Sequence, residues 1–263
     1  MAAEAKVDPM HQFTIEPLFG SQNWELGSSG VNIAFTNSAL WMLITTVVLA
    51  AFVFGGMKRE LVPGRWQMMV ETFTGFIDQM LEANIGKAGR KYVPYVFSLF
   101  MFILFANILG LMPLGVVGLH PFTFTSHFTV TGVLAIMSFS IVLAVGFLKH
   151  GLHFFSLFLP HGTPWWMAPI IAPIEFISFM VRPFSLGLRL FVAMMAGHVL
   201  LEVLSSFVIS GGNAGPLFAV GIGIPSMILM IGICALELLV AGIQAYVFAL
   251  LTALYINDAE NLH

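Results

Sequence analysis

Hydrophobic positions along the chain fall into five blocks, and the length of each block limits what it can be. Ala39 to Met57 is a run of 19 residues without a charge, enough at about 1.5 Å per residue to cross a hydrocarbon core of roughly 30 Å. From Lys58 to Lys91 the pattern changes. Glu60, Arg65, Glu71, Asp78 and Glu82 alternate with Trp66, Met69, Val70, Phe73, Phe76, Ile77, Met80 and Leu81 at spacings of three and four. This periodicity predicts an amphipathic helix over 60–90, lying on the membrane surface. Apolar runs over 95–112 and 130–148 predict two further crossings, joined into a hairpin by a turn around Pro113, Gly115, Gly118 and Pro121.

The last two blocks, 169–209 and 216–256, contain 41 residues each. Fully helical, each is about 60 Å long, twice the thickness of the hydrocarbon core. An upright helix of that length leaves many Leu, Phe and Ile side chains in water, so these two segments are expected to tilt strongly, bend, or break near prolines. Gly211, Gly212, Asn213, Gly215 and Pro216 mark the turn between them. The expected fold class is therefore all-α integral membrane protein: a first transmembrane helix, a surface helix, a transmembrane hairpin, and a hairpin of two tilted helices. No repeat or flexible linker splits the chain, and 1–263 reads as one membrane domain with residues 1–37 outside the cytoplasm.

Composition agrees with this pattern. Hydrophobic residues make up 59% and charged residues 9% of the 263 positions, against roughly 25% charged in soluble domains. Ten basic residues and a net charge of −3 leave no general basic patch for nucleic acid. Cys234 has no second cysteine to pair with and reads as a small buried hydrophobe. The N-terminus opens with Glu4, Lys6 and Asp8 rather than a basic and then apolar leader, so 1–37 is expected to stay attached. Six of the ten Lys and Arg (Lys58, Arg59, Arg65, Lys87, Arg90, Lys91) lie between the first two crossings, and Lys149 follows the third. The positive-inside rule puts these in the cytoplasm and the 211–215 turn outside.

The candidate chemistry lies in polar residues within apolar helices. Relative to Arg189, and at about 100° per residue, Glu175 falls at about +40°, Ser178 at about −20°, Arg182 at about +20° and Ser185 at about −40°. Five polar side chains thus share an arc of about 80°, the expected wall of an aqueous path. Ser178 and Ser185 also suit helix packing, Arg182 suits snorkelling to headgroups, and Glu175 suits an interfacial position. Arg189 lies twenty residues from either end of its block, too deep to snorkel, and its guanidinium stays charged. His198 points about 180° away from it and is expected to meet the next helix. There Glu237 and Gln244 share a face, with Glu237 near His198 and Gln244 near Arg189 if the helices run antiparallel. His198 and Glu237 suit either a proton relay or a structural pair. Asn107 either lines the outer path or ties two helices together. His150, His153 and His161 read as interfacial residues, and no cofactor or metal site is expected. The sequence has no His-Glu-x-x-His, Gly-x-x-x-x-Gly-Lys or Gly-x-Ser-x-Gly motif, which gives no support to hydrolytic or nucleotide chemistry in this chain.

The run Arg182-Pro-Phe-Ser-Leu-Gly-Leu-Arg189-Leu-Phe, the Ala-Gly-His198 after it and Gln244-Ala-Tyr-Val-Phe resemble subunit a of F-type ATP synthases. So do Phe-Thr-Ile-Glu-Pro-Leu at 13–18 and Asn107-Ile-Leu-Gly-Leu-Met-Pro113, and the likeness covers nearly the whole chain. The resemblance implies a non-catalytic proton-channel stator of the Fo sector, with Arg189 facing carboxylates on a rotating ring of c subunits. It assigns Glu175, Ser178 and Ser185 to a cytoplasmic half-channel and His198 with Glu237 to an outer one, with Gln244 close to the arginine. It also implies peripheral-stalk b subunits, the remainder of the synthase and membrane lipid as partners. The implied location is a bacterial inner membrane, or alternatively a mitochondrial one, since the His-then-Glu order is similar to alphaproteobacterial and mitochondrial forms. The sequence departs from the family pattern at Ala193, where many members carry Asn. Two rival readings of the residues are a proton-coupled secondary transporter, for which no internal repeat is present, and a metal hydrolase built on His198, Glu202 and Glu237.

Overall fold

Apolar blocks of this length can satisfy their backbone groups inside a bilayer only as helices. The computed structural model, which describes residues 13–15, 17, 35–57, 64–112, 122–151, 154, 166–213 and 215–261, is built of them. The chain is an all-α integral membrane protein. Helix α1 is Asn37–Gly56 and α2 is Arg65–Ile85; a 3-10 segment, Gly86–Tyr92, leads into α3, Val93–Leu111. A short 3-10 turn, Phe124–Ser126, precedes α4, Phe128–His150. Helix α5 is Ala168–Asn213; after it come α6, Pro216–Phe218, a π-helical turn, Ala219–Gly223, and α7, Ile224–Glu260. Among the described residues, β structure is limited to one isolated bridge between Pro17 and Thr36. Among the described residues, five helical runs are long and apolar enough to cross a membrane: Asn37–Gly56, Arg65–Leu111, Phe128–His150, Pro169–Asn213 and Pro216–Glu260. Most of 1–37, the 113–121 turn, the basic residues Lys58 and Arg59, and His153 and His161 lie outside the described residues.

Several elements differ in detail from the sequence expectation. The surface helix ends at Ile85 because Gly86 takes a left-handed φ of 77°, a conformation glycine adopts without strain, and the basic stretch after it is a 3-10 segment. Helix α5 runs unbroken through Pro173 and Pro183. It also absorbs Gly211 and Gly212, two of the expected turn residues, and the reversal falls at Gly215, whose φ is 114°. Gly211 instead gives the chain room for a close approach: a Cβ there would lie 3.0 Å from the Gly223 backbone nitrogen.

The described chain divides into two compact units, 1–48 with 104–127 and 192–243, and 49–103 with 128–191 and 244–263. In the second unit α5 packs on α4 through Gly187, where a Cβ would stand 3.0 Å from the Thr131 carbonyl oxygen and 3.2 Å from Ala135 Cβ. Such small-residue contacts supply close packing where no hydrophobic force between helices is available. Leu186, Leu190 and Phe179 are buried on the same side of α5, and Phe179 packs on Phe139 at 5.0 Å between ring centroids. The amphipathic α2 buries Val70, Ile77, Leu81 and Ile85, and its Trp66 indole donates a hydrogen bond to the Phe52 carbonyl at 3.0 Å.

The last turn of α7 is held by charge. Glu260, 4% exposed, accepts hydrogen bonds from Lys91 Nζ at 2.9 Å, Lys149 Nζ at 2.8 Å and the Tyr92 hydroxyl at 2.5 Å. Two lysines that the positive-inside rule assigns to the cytoplasm thus meet on one carboxylate. Glu260→Gln is expected to cost about 1–2 kcal/mol, because the lysines are half exposed and solvent screens part of the attraction. Thermal unfolding in detergent and the rate of tryptic cleavage after Lys91 and Lys149 measure this, and no change in either means the cluster adds no stability.

Candidate functional site

The second unit carries the polar stripe of α5. Glu175, Arg182 and Ser185 are half-buried there, while Ser178 and Arg189 are exposed. Gly187, Leu186 and Leu190 turn toward the protein, and at about 100° per residue this leaves Arg189 at the edge of the buried face. Around it α5 exposes Ile177 at 61%, Phe184 at 57% and Leu188 at 39%. Apart from Ser178, the exposed residues around this permanent cation are apolar. Arg182 has a different environment: its Nη1 lies 2.8 Å from Asp258 Oδ2 on α7, and its guanidinium lies over Phe179 and Tyr255 at 5.6 and 5.3 Å from the ring centroids. The ion pair answers the snorkelling alternative with a protein partner. Gln244 is half-buried on α7 in the same unit.

The first unit carries His198 and Glu237, which the structure brings together. Over 224–243 of α7 only Glu237 and Ala241 are buried, whereas Leu236, Leu238 and Leu239 are exposed. A carboxylate turned inward with leucines turned outward fits a helix whose outer face meets lipid. Glu237 is 2% exposed, and its Oε1 stands 2.7 Å from His198 Nδ1. That ring nitrogen also lies 3.0 Å from the Met194 carbonyl oxygen and aims its hydrogen there, so neither carboxylate oxygen receives a hydrogen bond of good geometry from the protein. Gly197 makes the approach possible, since a Cβ there would come within 2.6 Å of Glu237 Oε1.

On its other side His198 meets Thr123, with Nε2 and Oγ1 2.6 Å apart. Asn107 is fully buried nearby: it accepts a hydrogen bond from Thr125 Oγ1 at 2.9 Å and donates one to the Ala241 carbonyl at 3.3 Å. Of the two roles open to Asn107, these bonds favour the tie between helices. His198 also lines a cavity of about 400 Å³ together with Gly110, Glu202, Ser205 and Cys234. Cys234 is exposed to this cavity, which corrects the expectation of a buried hydrophobe: Glu237 takes the inward position three residues later. Among the described residues, His198, Glu202 and Glu237 do not form a group able to hold a metal ion.

Thr123, Thr125 and Ser205 did not stand out in the sequence, because the threonines lie outside the apolar blocks and Ser205 falls about 160° from Arg189, off the polar arc. Glu202 had one: it lies four residues after His198, on the same face of the helix. Asp258 and Glu260 had one too, as the carboxylates ending the last apolar block at the end expected to meet the basic residues.

The sequence profile of the family described as ATP synthase A chain matches residues 39–257. The chain is 78% identical to a protein of Erythrobacter litoralis named ATP synthase subunit a, over 100% of both chains. It is 78% identical to one of the same name from Novosphingobium aromaticivorans, over 99% of this chain and 100% of the relative. A Rhodospirillum rubrum protein of that name is 43% identical over 97% of this chain and 99% of its own length.

Proposed function

The chain belongs to the ATP synthase A chain family, and from that premise we propose that it is the non-catalytic stator that loads and unloads protons on a rotating ring of c subunits. As subunit a of the Fo sector it is a multi-pass protein of the bacterial inner membrane, acting in proton transport and ATP synthesis with the rest of the F-type complex. The observation that carries the finer reading is Arg189, a permanent charge exposed mid-helix among large apolar side chains. Such a charge costs somewhere between about 3 and 10 kcal/mol in a bilayer unless it meets a partner. A carboxylate on a neighbouring membrane helix is the chemistry that fits it.

In this reading two half-channels end at different heights. Glu175, Ser178 and Ser185 serve the cytoplasmic one. His198 and Glu237 serve the outer one, with Glu202 and Ser205 lining the cavity beside His198, Gln244 as a further polar group along the route, and Asn107 tying the surrounding segments together. A ring carboxylate reaching Arg189 is favoured in its ionised form and releases its proton to one path; once past the cation it reprotonates from the other. A proton taking the direct route meets a fixed cation in low dielectric, which suppresses leakage. Peripheral-stalk b subunits hold the chain against the torque, lipid covers its remaining apolar surface, and ATP chemistry resides in other subunits. Purification of the chain from its native membrane in mild detergent is expected to bring with it a ring of small hairpin subunits bearing a mid-membrane carboxylate. Recovery of the intact chain with other synthase subunits but without such a ring overturns the reading.

A further inference from the structure

His198 has two ring nitrogens, and the residues around it decide which one carries the proton. Nδ1 faces the Met194 carbonyl at 3.0 Å, and a carbonyl oxygen only accepts, so in the neutral ring Nδ1 holds the hydrogen. Nε2 is then a bare acceptor, and the Thr123 hydroxyl stands 2.6 Å from it as a donor. From this geometry we propose that Thr123 is a positioning residue of the outer path: its hydroxyl locks the His198 ring so that Nδ1 stays beside the Glu237 carboxylate.

Thr123 is itself firmly held. Its carbonyl accepts two hydrogen bonds from Ser126, from the backbone nitrogen at 3.0 Å and from Oγ at 2.5 Å, which close the short turn. Two residues on, Thr125 bonds Asn107, and Asn107 bonds the Ala241 carbonyl, so the turn is tied to α3 and α7. Gly110 of α3 leaves the space for the threonine: a Cβ there would overlap Oγ1 and lie 2.8 Å from Thr123 Cβ. Thr123 is 5% exposed, and the hydroxyl has this imidazole as its partner. Glu237 lies on the opposite side of the ring with its carboxylate oxygens lacking a well-aligned donor. A ring free to turn presents Nδ1 to Glu237 only part of the time. A ring held at Nε2 keeps Nδ1 2.7 Å from a carboxylate oxygen, close enough to trade its Met194 bond for one to Glu237 by a small tilt. The proposal rests on the outer-path reading of His198 and Glu237 and adds the group that orients the relay.

The test compares Thr123→Val with Thr123→Ser in the assembled complex, reading passive proton flow through membrane vesicles stripped of the catalytic sector. Valine keeps the shape and loses the hydroxyl; serine keeps the hydroxyl and loses a methyl. Thr123→Val is expected to slow flow by about threefold to tenfold, the factor that the loss of one hydrogen bond gives, with Thr123→Ser staying within about twofold of the parent. If valine does not assemble, Thr123→Ala is expected to show the same loss. A packing role predicts the reverse order, so serine slower than valine overturns the proposal. So does parent-like flow in the variants lacking the hydroxyl while His198→Ala is slow. Parent-like flow in His198→Ala itself removes the outer-path reading, and this proposal with it.

Discussion

Arg189→Ala is expected to abolish proton-driven ATP synthesis while the complex still assembles. The arginine lies 21 residues into the 46-residue α5, and its side chain is exposed rather than packed in the core. Gly187, which lets α5 approach α4, and the buried Leu186 and Leu190 remain in the variant. Folding therefore loses little. In the proposed mechanism function loses the fixed charge that favours an ionised ring carboxylate, because the serine and glutamate residues of the stripe supply none and Arg182 is paired with Asp258. Without that cation the barrier to direct proton passage also falls, so stripped vesicles are expected to leak protons where the parent holds a gradient. Succinate- or NADH-driven ATP synthesis in inverted membranes, with subunit recovery as the assembly control, measures the first effect. Parent-level synthesis in this variant sinks the proposed mechanism.

The second large effect is expected at His198. Replacing it with alanine removes the group 2.7 Å from Glu237 Oε1 and leaves a carboxylate that is 2% exposed without its titratable neighbour. A proton relay built on the two groups then lacks one of its two members. Passive proton flow is expected to fall by about tenfold or more, the scale of losing one general acid–base group. The alanine also frees Thr123 Oγ1, but the Thr125–Asn107–Ala241 bonds remain to hold the turn. Stripped vesicles from His198→Ala give the readout. Unchanged flow makes the His198–Glu237 contact a structural pair and moves the outer path elsewhere.

The stripe and the two-helix site had different legibility in the sequence. Five polar positions at helical spacing announced themselves between Glu175 and Arg189, because a bilayer makes each charge costly and a helix has a fixed period. Helix existence was similarly plain, since apolar length alone selects membrane-crossing helices. What periodicity could not reveal was each side chain's neighbour. Arg182 shares the arc of Arg189, yet one is paired with Asp258 and the other is exposed. Gly211 and Gly212 read as a turn and belong to a helix, because a glycine that allows close helix approach looks the same in one dimension as a glycine that allows a reversal.

By itself, then, the sequence determined an all-α membrane protein with Arg189 as its costly central charge and His198 and Glu237 as titratable groups on its last two apolar blocks. These follow from local quantities: hydropathy, helical period and the energy of a charge in hydrocarbon. Only the tertiary structure decided that Glu237 turns inward while its leucine neighbours turn out, that Gly197 leaves room for its carboxylate, and that Thr123 meets the histidine while Asn107 bonds Thr125 and Ala241. Residues as far apart as Asn107 and Ala241 meet through helix packing. Such contacts depend on how close two backbones can come, which a glycine in one helix permits and a distant partner in another exploits.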